Sequence, residues 1–261
     1  MYVTTVEFID THSHLYDEAF SSKEDLAVGR AIEAKVTKMI LPDIDASTRE
    51  AMFTLAERHP DTLFPTLGLH PTSVSQNWEE ELNAVEKSLG SHKIWAIGEI
   101  GIDCYWSKEF LEQQKEVFRV QLELAHKSDL PVIIHSREST ELIINILKDF
   151  KHLSLRGVFH AYSGSVETFH ELQKLGDWYI GIGGVLTYKK ASIAETVKNI
   201  PLERILLETD SPYLTPVPHR GKRNESSYIP HIAEKLALQK EIDIAEVAHI
   251  TTANAKRLFR I

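Results

Sequence analysis

Eight short apolar runs, each followed by a stretch of helical period, alternate along this 261-residue chain. The runs span 6–11, 36–41, 62–69, 94–100, 131–134, 157–159, 178–182 and 204–207. Several lack the in-out alternation of a half-exposed strand. Val-Ile-Ile at 132–134 and Ile-Leu-Leu at 205–207 read as strands buried on both faces of a parallel sheet. The intervening stretches, 22–34, 47–59, 79–89, 111–127, 139–150, 166–175 and 189–200, carry helical spacing, as at Met52, Leu55 and Ala56 behind a capping-type Ser47. Two further helices, 228–240 and 243–259, follow a polar loop. This pattern admits an open doubly wound sheet or a closed eightfold barrel. The open sheet carries a Gly-rich phosphate turn after its first strand, and here that turn reads His12-Ser13-His14. The expected fold class is therefore α/β, a (β/α)8 TIM barrel, which commonly needs ~250 residues. With 43% hydrophobic residues and no low-complexity tract or linker, residues 1–261 are expected to form a single domain around one core.

In such a barrel the chemistry sits at the C-terminal ends of the strands. Strand one ends in His12 and His14, whose i, i+2 spacing sends both rings to one face of an extended chain. Strand three ends in Gly68-Leu69-His70-Pro71, strand four in Gly98-Glu99-Ile100-Gly101-Ile102-Asp103, and strand five in His135-Ser136-Arg137. Strand six ends in His160 and strand eight in Glu208-Thr209-Asp210. The other eight of the 13 histidines fall in helices or loops, where a solvated or capping role is expected.

Glu99 and Asp210 each follow an apolar run, where a carboxylate costs several kcal/mol unless it is paired or metal-bound. Four imidazoles (His12, His14, His135, His160) and two carboxylates exceed what one tetrahedral ion with an open position takes, and match two ions sharing a carboxylate. The residues thus point to a two-metal hydrolytic centre. His70 is open between a phosphate contact, a proton donor and a structural hydrogen bond.

Together these motifs resemble the TatD-type deoxyribonucleases, a branch of the metal-dependent hydrolase superfamily. The resemblance runs the length of the chain: Asp10-Thr-His-Ser-His14, Gly68-Leu-His-Pro71, Gly98-Glu-Ile-Gly-Ile-Asp103, His135-Ser-Arg137, Phe159-His160 with Ser163-Gly164, Leu207-Glu-Thr-Asp-Ser-Pro-Tyr-Leu214 and Gly221-Lys-Arg-Asn-Glu225. It implies that His12, His14, Glu99 and Asp210 hold one divalent ion and that a bridging Glu99 with His135 and His160 holds the second. It also suggests nuclease activity supported by Mg, with Mn and Zn as the other candidates. Ala161-Tyr162 stand where the family usually has Cys-Phe, Cys104 where an aromatic is common and Ser226 where Pro is usual; these departures bear on substrate preference, since none removes a ligand.

The expected reaction is attack of activated water on a phosphodiester of DNA, at single strands or strand ends, probing one strand exonucleolytically. Asp210 is the expected base and Glu99 fixes the spacing of the ions. His70, Arg137 and Arg223 are the candidate phosphate contacts, Arg favouring bidentate geometry. Tyr105, Trp106, Tyr162 and Tyr213 are candidates for stacking on unpaired bases, and Asp10 for a supporting partner. Two rival readings are a hydrolase of a small amide, ester or lactone and a barrel that binds nucleic acid or protein without catalysis. Many two-ion relatives acting on small substrates bridge their ions with a modified lysine at the end of strand four, where this chain has Glu99.

With 29 Lys and Arg against 38 Asp and Glu, the net charge of −9 disfavours holding duplex nucleic acid by charge alone. One cysteine, Cys104, excludes an internal disulfide. The chain shows no leader pattern and no membrane span, so a cytoplasmic location without membrane partners is expected, a monomer being compatible with the chain.

Overall fold

A computed structural model describes residues 6–261. Eight strands, β1 (Phe8–Asp10), β2 (Val36–Leu41), β3 (Leu63–Pro65), β4 (Ile97–Asp103), β5 (Val132–Arg137), β6 (Arg156–Phe159), β7 (Asp177–Ile182) and β8 (Ile205–Leu207), pair in parallel in the order β1-β2-β3 and β4-β5-β6-β7-β8. Parallel bridges close the two seams, Leu67 to Ile97 and Ser13 to Ser211. At the second seam the His14 N–H donates to the Ser211 carbonyl at 2.8 Å, and the Asp210 N–H to the His12 carbonyl at 2.9 Å. The outcome is the (β/α)8 barrel.

Around it stand α1 (Glu24–Glu33), α2 (Ala46–Arg58), α3 (Trp78–Leu89), α4 (Leu111–Lys127), α5 (Thr140–Asp149), α6 (Val166–Gln173), the short α7 (Ile193–Thr196), α8 (Ile229–Lys240) and α9 (Ile244–Phe259). The apolar interior divides in two. One cluster fills the space between strands and helices. The other lies within the barrel: Ile9, Ile40, Phe64, Ala96, Ile133, Val158, Tyr179 and Leu206, one residue from each strand or its threshold, closed by Leu258 and Phe259 of α9. Each large side chain so buried contributes about 1.5–3 kcal/mol. Because this layer fills the lower barrel, the polar residues two positions further along the strands, such as His135 after Ile133 and His160 after Val158, face the upper opening.

Several boundaries differ from the sequence expectation. The run at 62–69 is a regular strand only over β3; beyond it Leu67 still bridges to β4, and Asp43, two residues past β2, also reaches β4, Asp43 N–H donating to Gly98 O and Glu99 N–H to Asp43 O, both at 3.0 Å. Strands β4 and β5 extend beyond 100 and 134, placing Asp103 and His135 inside strands. The β4–β5 register shifts between Ile97 and Ile100, at Gly98 and Glu99. The stretch 189–200 is helical only in α7 and the adjoining 3-10 turn Val197–Asn199. Helix α2 is capped by Asp45, which accepts from the Ser47 N–H at 2.9 Å, and not by Ser47. No helix among the described residues is long and apolar enough to cross a membrane.

Candidate metal centre

Glu99 is the hub. Its carboxylate lies 3.1 Å from His12 Nε2, 3.8 Å from His14 Nε2, 3.3 Å from His70 Nε2, 2.8 Å from His135 Nδ1 and 3.9 Å from His160 Nε2. Five imidazoles from four strands or strand exits thus surround one buried carboxylate. Asp210 stands opposite, Oδ1 3.6 Å from His14 and 3.8 Å from both His12 and His160. The His12 and His14 Nε2 atoms are 3.2 Å apart, and the His12 and His160 rings stack at 3.4 Å. The sequence-predicted His12, His14, Glu99, His135, His160 and Asp210 therefore converge.

Asp210 differs from the other carboxylates in access and backbone. Its side chain is 17% exposed against 3% for Glu99. Its φ of 56° lies in the left-handed region, which Asp tolerates better than most residues and which recurs at functional sites.

Burial and neighbouring charge compete at every group. Burial would push the Glu99 carboxyl up, but the imidazoles of His70, His12 and His160 hold it well below the usual carboxylate range. Asp210 is likewise held down against burial, chiefly by His160. Burial and the neighbouring His160 drop His12 to about 4. For His135 burial acts downward, but hydrogen bonds to Asp103 and Glu99 carry it up to about 9; Glu208, Asp210 and Glu99 overcome burial to carry His160 up to about 10.

The donor set fits divalent metal. Among the described residues neither Glu99 nor Asp210 pairs with a lysine or arginine, so these buried carboxylates have only imidazoles for compensation. In each of the groups His12–His14–Glu99, His12–His160–Glu208 and His70–Glu99–His135 the candidate ligand atoms lie within 4.8 Å of one another, so His160 groups with His12 and Glu208 and not with His135. Mixed imidazole and carboxylate donors suit Zn, Mn or related ions.

A ring of supporting residues was not assigned from the sequence. His14 Nδ1 lies 2.9 Å from Tyr16 Oη, His135 Nε2 donates to Asp103 Oδ2 at 3.0 Å, and His160 Nδ1 lies 3.1 Å from Glu208 Oε1, off the line of a good hydrogen bond. Glu208 also accepts from the Ala161 N–H at 2.6 Å. Such partners fix ring orientation and basicity at metal ligands. Strand spacing offers a signal for two of them: Asp103 is four residues after Glu99, and Glu208 is two before Asp210. Asp10 is fully buried and accepts from Thr209 N–H at 3.0 Å and Thr209 Oγ1 at 2.6 Å, tying β1 to β8.

His70 lines the cleft. The Thr72 N–H donates to its Nδ1 at 3.1 Å, so the neutral ring carries its proton on Nε2, which lies 3.3 Å from Glu99 Oε1. Arg137 also lines this cleft of about 600 Å3, its guanidinium 3.8 Å from the Tyr105 ring centre and 5.3 Å from that of Trp106. Trp106 and Tyr213 stand exposed on its rim. Tyr162 is instead buried, its hydroxyl donating to Ser165 O at 2.6 Å. Arg223 is not brought to the cleft: its guanidinium packs on Phe20 and donates to Ala19 O at 2.6 Å.

A (β/α)8 barrel whose upper opening gathers imidazoles around buried carboxylates defines the class of metal-dependent hydrolases. Residues 9–260 match the family described as TatD related DNase. The chain belongs to this family. It is 41% identical to an uncharacterized metal-dependent hydrolase, YabD, of Bacillus subtilis, over 97% of this chain and 98% of the relative. It is 34% identical to the 3'-5' ssDNA/RNA exonuclease TatD of Erwinia tasmaniensis, over 97% and 99%. Among solved structures, the TatD homologue YjjV of Escherichia coli superposes with a TM-score of 0.91 at 31% identity, covering 98% of this chain and 99% of that one. The chain is accordingly a metal-dependent hydrolase.

Proposed function

We propose that this protein hydrolyses phosphodiester bonds of DNA, working exonucleolytically on single strands or strand ends with two divalent ions. The observation that carries the reading is the Glu99 hub, one carboxylate among five imidazoles with no lysine or arginine of the described residues paired to it. The relative named as a 3'-5' ssDNA/RNA exonuclease supports the choice of substrate. In this reading His12, His14, Glu99 and Asp210 hold one ion, and Glu99, His135 and His160 the other. Bound there, the ions would lower the pKa of water and offset charge on the phosphoryl oxygens.

The chain's own side chains then have distinct tasks. Asp210, the most solvent-accessible carboxylate of the centre, accepts the proton of the attacking water. His70, whose Nε2 lies 3.3 Å from Glu99, would turn its Nε2–H to a non-bridging phosphate oxygen once Glu99 holds the ions. Arg137, stacked by its face on Tyr105, leaves its edge N–H groups for a second oxygen. Asp103, Glu208 and Tyr16 hold the rings of His135, His160 and His14 in place. Arg223 anchors the loop after β8 instead of touching phosphate. The reading takes the whole chain as one domain acting as a monomer in the cytoplasm, where Cys104 stays reduced.

The test is hydrolysis of an end-labelled single-stranded oligodeoxynucleotide by metal-stripped protein, with and without Mg, Mn or Zn, beside Glu99→Ala and Asp210→Ala. Metal-dependent shortening that both substitutions abolish is the expected result. An intact strand with every ion would refute the nuclease. Stoichiometric metal binding without DNA cleavage would transfer the site to a small ester, amide or lactone.

A further inference from the structure

A second cavity, of about 270 Å3, adjoins the metal centre and shares Asp210 and Leu214 with the main cleft. We propose that it seats the terminal nucleoside of the strand being cut. This rests on the phosphodiesterase reading above and adds to it a binding site and a reason for end-directed cleavage.

The walls are apolar, from Ile182, Val185, Leu186, Ile193 and Leu214. Polar groups are confined to two places: Ser163, Lys190 and Ser192 are exposed, and Glu208, Thr209 and Asp210 lie on the side of the metal centre. A nucleobase has the matching chemistry, flat apolar faces with hydrogen-bonding edges. Sites for small molecules usually measure ~300–1,000 Å3, so a recess of this size takes one nucleoside and not a run of them.

The loops that wall the recess are clasped together. The Tyr188 hydroxyl donates to Thr215 O at 3.1 Å, and the Val217 N–H to Thr187 Oγ1 at 2.8 Å. Gly184 approaches Leu214 O so closely that a Cβ there would come within 2.1 Å of it. Residues from the loops after β7 and β8 therefore form a fixed pocket, not a channel through which a strand threads. A base seated there brings its adjoining phosphate to Asp210, and only a strand end can supply such a base without a continuing chain.

The experiment compares linear and circular single-stranded DNA of one composition, using metal-loaded wild type and Ala191→Trp, which places an indole in the recess. Wild type is expected to shorten the linear strand and spare the circle. Ala191→Trp is expected to keep the wild-type metal stoichiometry by calorimetry while its kcat/KM on the linear strand falls roughly tenfold to a hundredfold, as loss of the apolar burial of one base would give. Cleavage of the circle at the linear rate, or wild-type rates in Ala191→Trp, would overturn the assignment. Should Ala191→Trp lose metal or fold, Ser192→Trp at the exposed position decides by the same criterion. Absence of any DNA cleavage by wild type would instead overturn the nuclease reading, and this inference with it.

Discussion

Gly181 on β7 lies where the packing around Glu208 leaves no room for a side chain. A Cβ built there would meet Glu208 Oε2 at 2.0 Å and Cδ at 2.5 Å, whereas ordinary contact begins at 3.4 Å. In Gly181→Ala the carboxylate oxygen must therefore retreat by 3.4 − 2.0, about 1.4 Å. An exposed glutamate would swing aside at little cost, but Glu208 is 1% exposed and its Oε1 accepts from the half-buried Ala161 N–H. Overpacking costs about 1–3 kcal/mol. Leaving the Ala161 N–H without its acceptor costs about 1–3 kcal/mol more. The expected loss in denaturant unfolding is thus about 2–6 kcal/mol, a large part of the ~5–15 kcal/mol that holds a typical domain. His160 also loses its partner, so affinity for Mn or Zn by calorimetry should fall about 10- to 100-fold. Glu208→Ala in the same background should recover the overpacking part, because the two positions touch and their effects do not add. Wild-type stability and metal affinity in Gly181→Ala would refute the reasoning.

Three further outcomes are expected. Asp210→Asn keeps the size of the side chain and removes the proton acceptor, so single-turnover cleavage of single-stranded DNA should slow by about 10²–10⁴-fold with an unchanged circular dichroism spectrum; an active variant would take the base role from Asp210. In the metal-stripped protein His135 and His160, raised to about 9 and about 10, retain protons at pH 7.5 that divalent ions must displace. Affinity should then weaken as pH falls below these values, by about tenfold per unit for each proton displaced, and calorimetry in buffers of different ionisation enthalpy should register proton release; zero release would contradict it. Trp106→Ala, at an exposed rim position, should raise KM for a single-stranded oligonucleotide roughly 5- to 100-fold with kcat little changed, and leave an abasic oligomer unaffected; equal effects on both would exclude base stacking.

The alternation of apolar runs and helical stretches determined the barrel, because strands that are covered on both faces announce themselves without reference to any partner. Residues at strand ends were legible for the same reason: closure brings those ends to one opening, so His12, His14, His70, Glu99, His135, His160 and Asp210 could be grouped before any contact was known. The sequence alone could not supply the contacts that cross strands. Glu99 lies at a register shift between β4 and β5, which depends on pairing and not on local preference. Glu208 reads as another carboxylate beside Asp210 until Gly181 and Ala161, from β7 and the exit of β6, close around it. Arg223, basic and in a motif, looked suited to phosphate, but the tertiary path of the loop lays it over Phe20. The recess beside Asp210 likewise exists only because the loops after β7 and β8 are clasped. Sequence determined which groups reach the opening, since that follows from period and position along a strand; tertiary structure decided which of them meet, since that depends on register and on atoms far apart in the chain.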